Sequence, residues 1–186
     1  VQCADERLRK EIFMSASKFA YIAAIFFVAG MAIVFTVGLP EFEGQPPISR
    51  ILFTIFVLIF QLAMLPVIAA LPAPAWAKAS GFTWVVIDIM LVMLSYYGEG
   101  SDIVEPLRSG VNIATATWIF GVSKGQQGVF RWVGFLIVPA GAGVSLIGPF
   151  LSSDAMLQAS GPGLLLLIAW IIMAGNRLGK SDTISV

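Results

Sequence analysis

The chain has 186 residues, is 58% hydrophobic and only 12% charged, and carries neither a net charge nor a histidine. A soluble domain normally holds about 25% charged residues because it must present a polar surface to water, so half that fraction sets most of this surface against something other than water. Zero net charge argues against a nucleic-acid partner; the lone Cys3 excludes an internal disulfide or a thiolate zinc cluster, and the missing histidines exclude His-ligated haem and His-based catalytic dyads or triads.

Residues 1–18 mix charges with Leu8, Ile12 and Ser15 at helical spacing, the pattern of an interfacial amphipathic segment leading into a first span. The apolar stretch that follows is too long for the h-region of a removable signal peptide. Crossing the hydrocarbon core takes about 20 helical residues. Residues 19–39 and 51–71 each give 21 without a charge, and 132–151 gives 20. Residues 79–97 form a span containing Asp88, and 161–178 form one ending on Asn176-Arg177. Residues 107–123 are the weakest, because Arg108 must reach the interface and Asn112, Thr115 and Thr117 dilute the apolar run. A polar tail, 179–186, follows. The expected fold is an all-α integral membrane bundle of six transmembrane helices.

Charge distribution tests that count independently. With the spans alternating in direction, nine basic residues fall on one face: Arg7, Arg9, Lys10, Lys18, Lys78, Lys124, Arg131, Arg177 and Lys180. The opposite face holds only Arg50 and Arg108, whereas Glu41, Glu43, Glu99, Asp102, Glu105 and Asp154 gather there. Cytoplasmic loops carry the Lys/Arg excess, so both termini are expected in the cytoplasm, with the bundle in a bacterial plasma (inner) membrane. Five spans would scramble this division. Trp76, Tyr96-Tyr97 and Trp132 fall at expected boundaries, as belt aromatics do.

An echo links Ala79-Ser80-Gly81, entering the third span, to Ala159-Ser160-Gly161, entering the sixth. A three-plus-three duplication would give two halves of opposite orientation, the inverted repeat of many transporters. Small residues form two stripes, Ala16-Ala20-Ala24 in the first span and Gly134, Gly141, Ser145 and Gly148 in the fifth, the latter interrupted by Pro139 and Pro149. Such stripes allow close helix approach, within the bundle or against a second copy or another membrane protein.

The chemistry centres on Asp88, in Trp84-Val85-Val86-Ile87-Asp88-Ile89-Met90-Leu91. A charged carboxyl at mid-bilayer costs roughly 2.5–3.5 kcal/mol on insertion scales, and such residues face a bundle interior or a water-filled cavity. The run holds no Lys or Arg, so no cationic partner is expected in the core. Gln61 lies midway along the second span, and the hairpin of spans two and three lets it meet Asp88 at equal depth; Asn112 and Thr115 are expected as secondary polar contacts. A carboxyl whose charge depends on an arriving cation or proton suits a coupled carrier, although the same pair could simply pin two helices. No paired base, phosphate-binding loop, metal cluster or membrane-embedded lysine supports an enzyme, and no cofactor or metal is expected.

The expected function is therefore transport or binding of a small solute, cation or proton around Asp88, Gln61, Asn112 and Thr115. The rival is a non-catalytic structural or accessory subunit of a membrane complex. In size, helix number and the Ala16-Ala20-Ala24 repeat, the chain loosely resembles the membrane subunits of energy-coupling-factor vitamin transporters, which implies a substrate-binding subunit of a larger importer.

Overall fold

A computed structural model describes residues 2–37, 47–97, 101–147 and 153–180, with side chains from residue 15 onward except 37, 101–106, 144, 147 and 153–159. Six helices follow in order: α1 (Gln2–Val37), α2 (Ile48–Ala70), α3 (Ala75–Tyr96), α4 (Ser101–Lys124), α5 (Val129–Ile147) and α6 (Ser153–Lys180). Residues 38–46, 98–100, 148–152 and 181–186 lie outside the described residues, and with them Glu41, Glu43, Glu99, Gly148 and Pro149.

Four helical stretches are long and apolar enough to cross a membrane: Ser15–Thr36, Ile48–Ala70, Ala75–Tyr96 and Ser160–Lys180. They fit an integral membrane protein. The described apolar part of α5, Val129–Gly143, is shorter, and α4 is diluted by Arg108, Asn112 and its threonines. The amphipathic start and the first apolar stretch form one unbroken helix: no Pro interrupts them, and the single glycine, Gly30, is carried within it.

Prolines set two of the helix starts. Pro47 and Pro74 precede α2 and α3 with φ near −64° and −63°, which the pyrrolidine ring imposes. Their carbonyls accept the first amides, Arg50 and Ile51 in α2 and Ala77 and Lys78 in α3. At the other end of α2, Lys78 Nζ donates to the Ala69 carbonyl at 2.6 Å, placing a cation on carbonyls that lack helical donors. The turn between α4 and α5 uses Gly128 at φ 69°, the left-handed region that costs glycine nothing.

Each helix packs against its chain neighbours, and α1 closes on α6, so the bundle is a ring in sequence order. Ser17 Oγ donates to the Gly175 carbonyl at 2.8 Å and Tyr21 Oη donates to Asn176 Oδ1 at 2.8 Å. The first turns of the apolar stretch of α1, from Ser15, thus meet the last turns of α6 at one end of the bundle. The α4–α5 turn lies there too, because Arg177 donates to the Gln126 side chain and, at 2.6 Å, to the Gln127 carbonyl.

Aromatic rings fill the middle of the ring of helices, one from each. Phe27 of α1 meets Phe60 of α2 at 4.8 Å, Phe60 meets Trp84 of α3 at 5.9 Å, and Trp84 stacks on Trp118 of α4 at 5.5 Å. Trp118 meets Trp170 of α6 edge-on at 5.1 Å, Trp170 stacks on Phe130 of α5 at 4.9 Å, and the Arg177 guanidinium covers Phe130 at 4.9 Å. Aromatic pairs in these geometries contribute about 0.5–1.5 kcal/mol each beyond area burial. In lipid, helices associate through such packing rather than through a hydrophobic drive, so the ladder is the centre of cohesion.

Glycines admit this packing. A Cβ on Gly81 would lie 2.8 Å from Trp118 Cδ1 and 3.0 Å from Ile68 Cγ2, and one on Gly134 would overlap Ser123 Oγ. The Ala16-Ala20-Ala24 stripe is buried, and a Cβ on Gly175 of α6 would rest 3.2 Å from Ala20. Both small-residue stripes are therefore used inside the bundle over the described residues. Large apolar side chains point outward instead, among them Ile25 (64% exposed) and Leu165 (70%). Such a surface is a liability in water and suits lipid.

Candidate functional site

α2 and α3 bring Gln61 and Asp88 together. Gln61 is fully buried, and its Nε2 donates to Asp88 Oδ2. Asp88 sits in the body of α3, half-buried within the bundle. Both residues lie on helices too apolar to supply another nearby partner, so each answers the other. The amide oxygen of Gln61 is buried without a hydrogen-bond donor among the described residues. Leaving a buried acceptor unmet costs about 1–3 kcal/mol, which marks this spot as unfinished by the chain's own groups.

Arg108 of α4 is the charged group whose field acts on Asp88. The sequence reading sends Arg108 to the interface and leaves Asp88 without a cation; in the structure Arg108 is exposed yet still within electrostatic range. The signal was present in the sequence. α3 and α4 are antiparallel neighbours, with Ser80 Oγ donating to the Ala114 carbonyl at 2.9 Å and Gly81 against Trp118, so residues near the start of α4 come level with the later turns of α3. At this same end, Arg50 Nη1 of α2 donates to the Ser95 carbonyl of α3 at 3.5 Å.

Asn112 and Thr115 do not join the Asp88 pair. They line a cavity of roughly 110 Å³ between α4, α5 and α6, to which neither Asp88 nor Gln61 contributes. Ala140 and Gly141 of α5 and Gly163 and Leu167 of α6 form its other walls. Thr115 Oγ1 donates to the Val111 carbonyl of its own helix at 2.8 Å, which uses its proton and leaves an acceptor. The side chain of Asn112 makes no hydrogen bond among the described residues. Pro139 stands beside this cavity in α5, and its missing N–H deprives the Phe135 carbonyl of its helical donor.

The echoed tripeptides differ in surroundings. Gly81 is pressed against Trp118, whereas a Cβ on Gly161 would meet nothing within 4 Å. Three mid-bundle tryptophans form a unit that the sequence does not announce; the ring nitrogens of Trp118 and Trp170 and the Ser123 hydroxyl are buried without a hydrogen-bond partner among the described residues. Tryptophan far from the boundaries of several apolar spans is the signal that would have exposed the ladder.

Compared with protein-family models, with curated proteins and with solved structures, the chain matches none. What fold and site define is a class: an all-helical bundle with four helices fit to cross a membrane and a carboxyl–amide pair inside it.

Proposed function

We propose that the protein is a small polytopic membrane transporter or binding protein whose site for a proton or small cationic solute is the Asp88–Gln61 pair. The observation that carries this reading is an excess of acceptors. Gln61 donates one N–H to Asp88, while its own buried oxygen has no donor among the described residues. Oxygen acceptors gathered at a membrane-embedded carboxyl suit an arriving proton or cation. In this reading all six helices cross the bilayer, as two halves of a three-plus-three duplication. The end bearing Lys78, Lys124, Arg131 and Arg177, where α1 starts and α6 finishes, faces the cytoplasm of a bacterial cell.

A second reading, the accessory subunit, draws on a different observation. Arg108 and Gln61 both address Asp88, and the α4–α5–α6 cavity lies elsewhere, as a helix pin would have it. Reconstitution separates the two. Asp88→Asn, which keeps the shape and a hydrogen bond to Gln61, abolishes proton- or cation-dependent uptake into proteoliposomes while the helical content and melting of the protein stay near wild type. Unchanged uptake would sink the transport reading, and a protein that no longer assembles would favour the pin.

A further inference from the structure

We infer that the cavity between α4, α5 and α6 is a binding site, separate from the Asp88 pair, for a small uncharged solute with an apolar body and one amide-like or hydroxyl group. None of the ten residues lining it is ionisable, so a charged ligand would lose its hydration without gaining a counter-charge. The walls are mostly apolar, Ile137, Leu164 and Leu167 among them, with Asn112, Thr115 and Ser160 as the polar members; Ser160 is already engaged. A volume of roughly 110 Å³ is somewhat below the roughly 150 Å³ of an engineered apolar cavity that admits benzene. It therefore fits a molecule of about five or six heavy atoms.

The polar edge is specific in what it offers. The Asn112 amide supplies both a donor and an acceptor that no described residue engages, and Thr115, its proton already given to Val111, supplies an acceptor. A planar amide can pair with Asn112 through two hydrogen bonds while its alkyl end fills the leucine side. The cavity is kept open by small residues: Ala140, Gly141 and Gly163 line it, and a Cβ on Gly163 would stand only 3.3 Å from Ala140. Ordinary side chains there would close it. The cavity lies along the middle turns of α4 and α5 and the first half of α6, and no described residue of α3 lines it, so its occupancy does not require Asp88.

The probe is isobutyramide, with isobutyrate as a charged molecule of the same shape. Both are titrated by saturation-transfer NMR against the full chain in lipid nanodiscs, with thermal unfolding followed in parallel. Isobutyramide binds saturably and raises the melting temperature with concentration, and isobutyrate does neither. Asn112→Leu weakens binding about tenfold or more, the loss expected for one or two hydrogen bonds, without lowering the melting temperature of the free protein. Ala140→Leu, which fills the cavity from the opposite wall, removes binding as well and serves if Asn112→Leu fails to fold. Asp88→Asn leaves isobutyramide binding unchanged. Absence of saturable binding, equal binding of isobutyrate, insensitivity to both cavity substitutions, or loss of binding in Asp88→Asn would each overturn the inference.

Discussion

Gly81→Ala puts the aromatic ladder to a test of sign. In an exposed helix this substitution stabilises by about 0.5–1 kcal/mol, because glycine loses more backbone freedom on folding. In α3 the new Cβ would lie 2.8 Å and 2.9 Å from Trp118 Cδ1 and Cγ and 3.0 Å from Ile68 Cγ2, against the roughly 3.5–4.0 Å at which carbon atoms rest. Trp118 has nowhere to retreat: it is fully buried, stacked on Trp84 and met edge-on by Trp170. Overpacking of this kind costs about 1–3 kcal/mol. Setting the propensity gain against it leaves a net loss of roughly 1 kcal/mol, about fivefold in the folded-to-unfolded ratio. Reversible unfolding in mixed micelles, followed by far-UV circular dichroism and tryptophan fluorescence, measures it. Gly110→Ala is the internal control, since its Cβ would meet nothing within 4 Å, and it is expected to be neutral or mildly stabilising. If Gly81→Ala proves as stable as wild type or more so, the ladder is not packed as described.

Gly134→Ala is expected to be the more damaging change, because its Cβ would overlap Ser123 Oγ and approach Trp170 Nε1 to 3.0 Å; adding Ser123→Ala restores part of the loss, and a double-mutant cycle that finds no coupling argues against the contact. Arg177→Met removes two hydrogen bonds to the α4–α5 turn and the cover over Phe130. It should speed amide exchange at residues 125–128 while leaving the amides of α2 and α3 protected. Cys3 is the only cysteine, so single-cysteine variants are simple to build. An impermeant maleimide should reach Cys3, Gln126→Cys and Lys180→Cys from one side of the membrane and Tyr97→Cys from the other. Opposite sides for residues 3 and 180 would contradict the six-crossing proposal.

Helices are legible here because unbroken apolar runs of membrane-spanning length have few alternatives: the runs at 19–39, 51–71, 79–97 and 161–178 fall on the four helices able to cross a bilayer, whereas the uncharged run at 132–151 falls on α5, whose described apolar part, Val129–Gly143, is shorter. Depth was legible too: α2 and α3 form a hairpin, so counting along both from the Pro72–Pro74 turn brings Gln61 level with Asp88. Rotation about each helix axis was not. In a soluble protein the polar face declares which side is out, but here lipid and core are both apolar, so hydrophobicity does not say which way Asn112 and Thr115 turn. They turn toward α5 and α6. Arg108 is exposed, as its place near the start of α4 leads one to expect; what the sequence does not give is that antiparallel packing against α3 lets its charge act on Asp88. The alanine stripe of α1 reads as helix packing ahead of docking, and its burial against α6 makes it an inner seam.

The proposal turns on Asp88 as a group that takes up a proton or cation from outside the bundle. Infrared difference spectroscopy on the protein in lipid reads that carboxyl directly, when pH is stepped or a small cation is added. A carboxyl band that changes on the step, vanishes in Asp88→Asn and shifts in Gln61→Leu is the predicted result. A spectrum in which no band assignable to Asp88 responds to either proton or cation would contradict the account and leave the pair as a structural pin between α2 and α3.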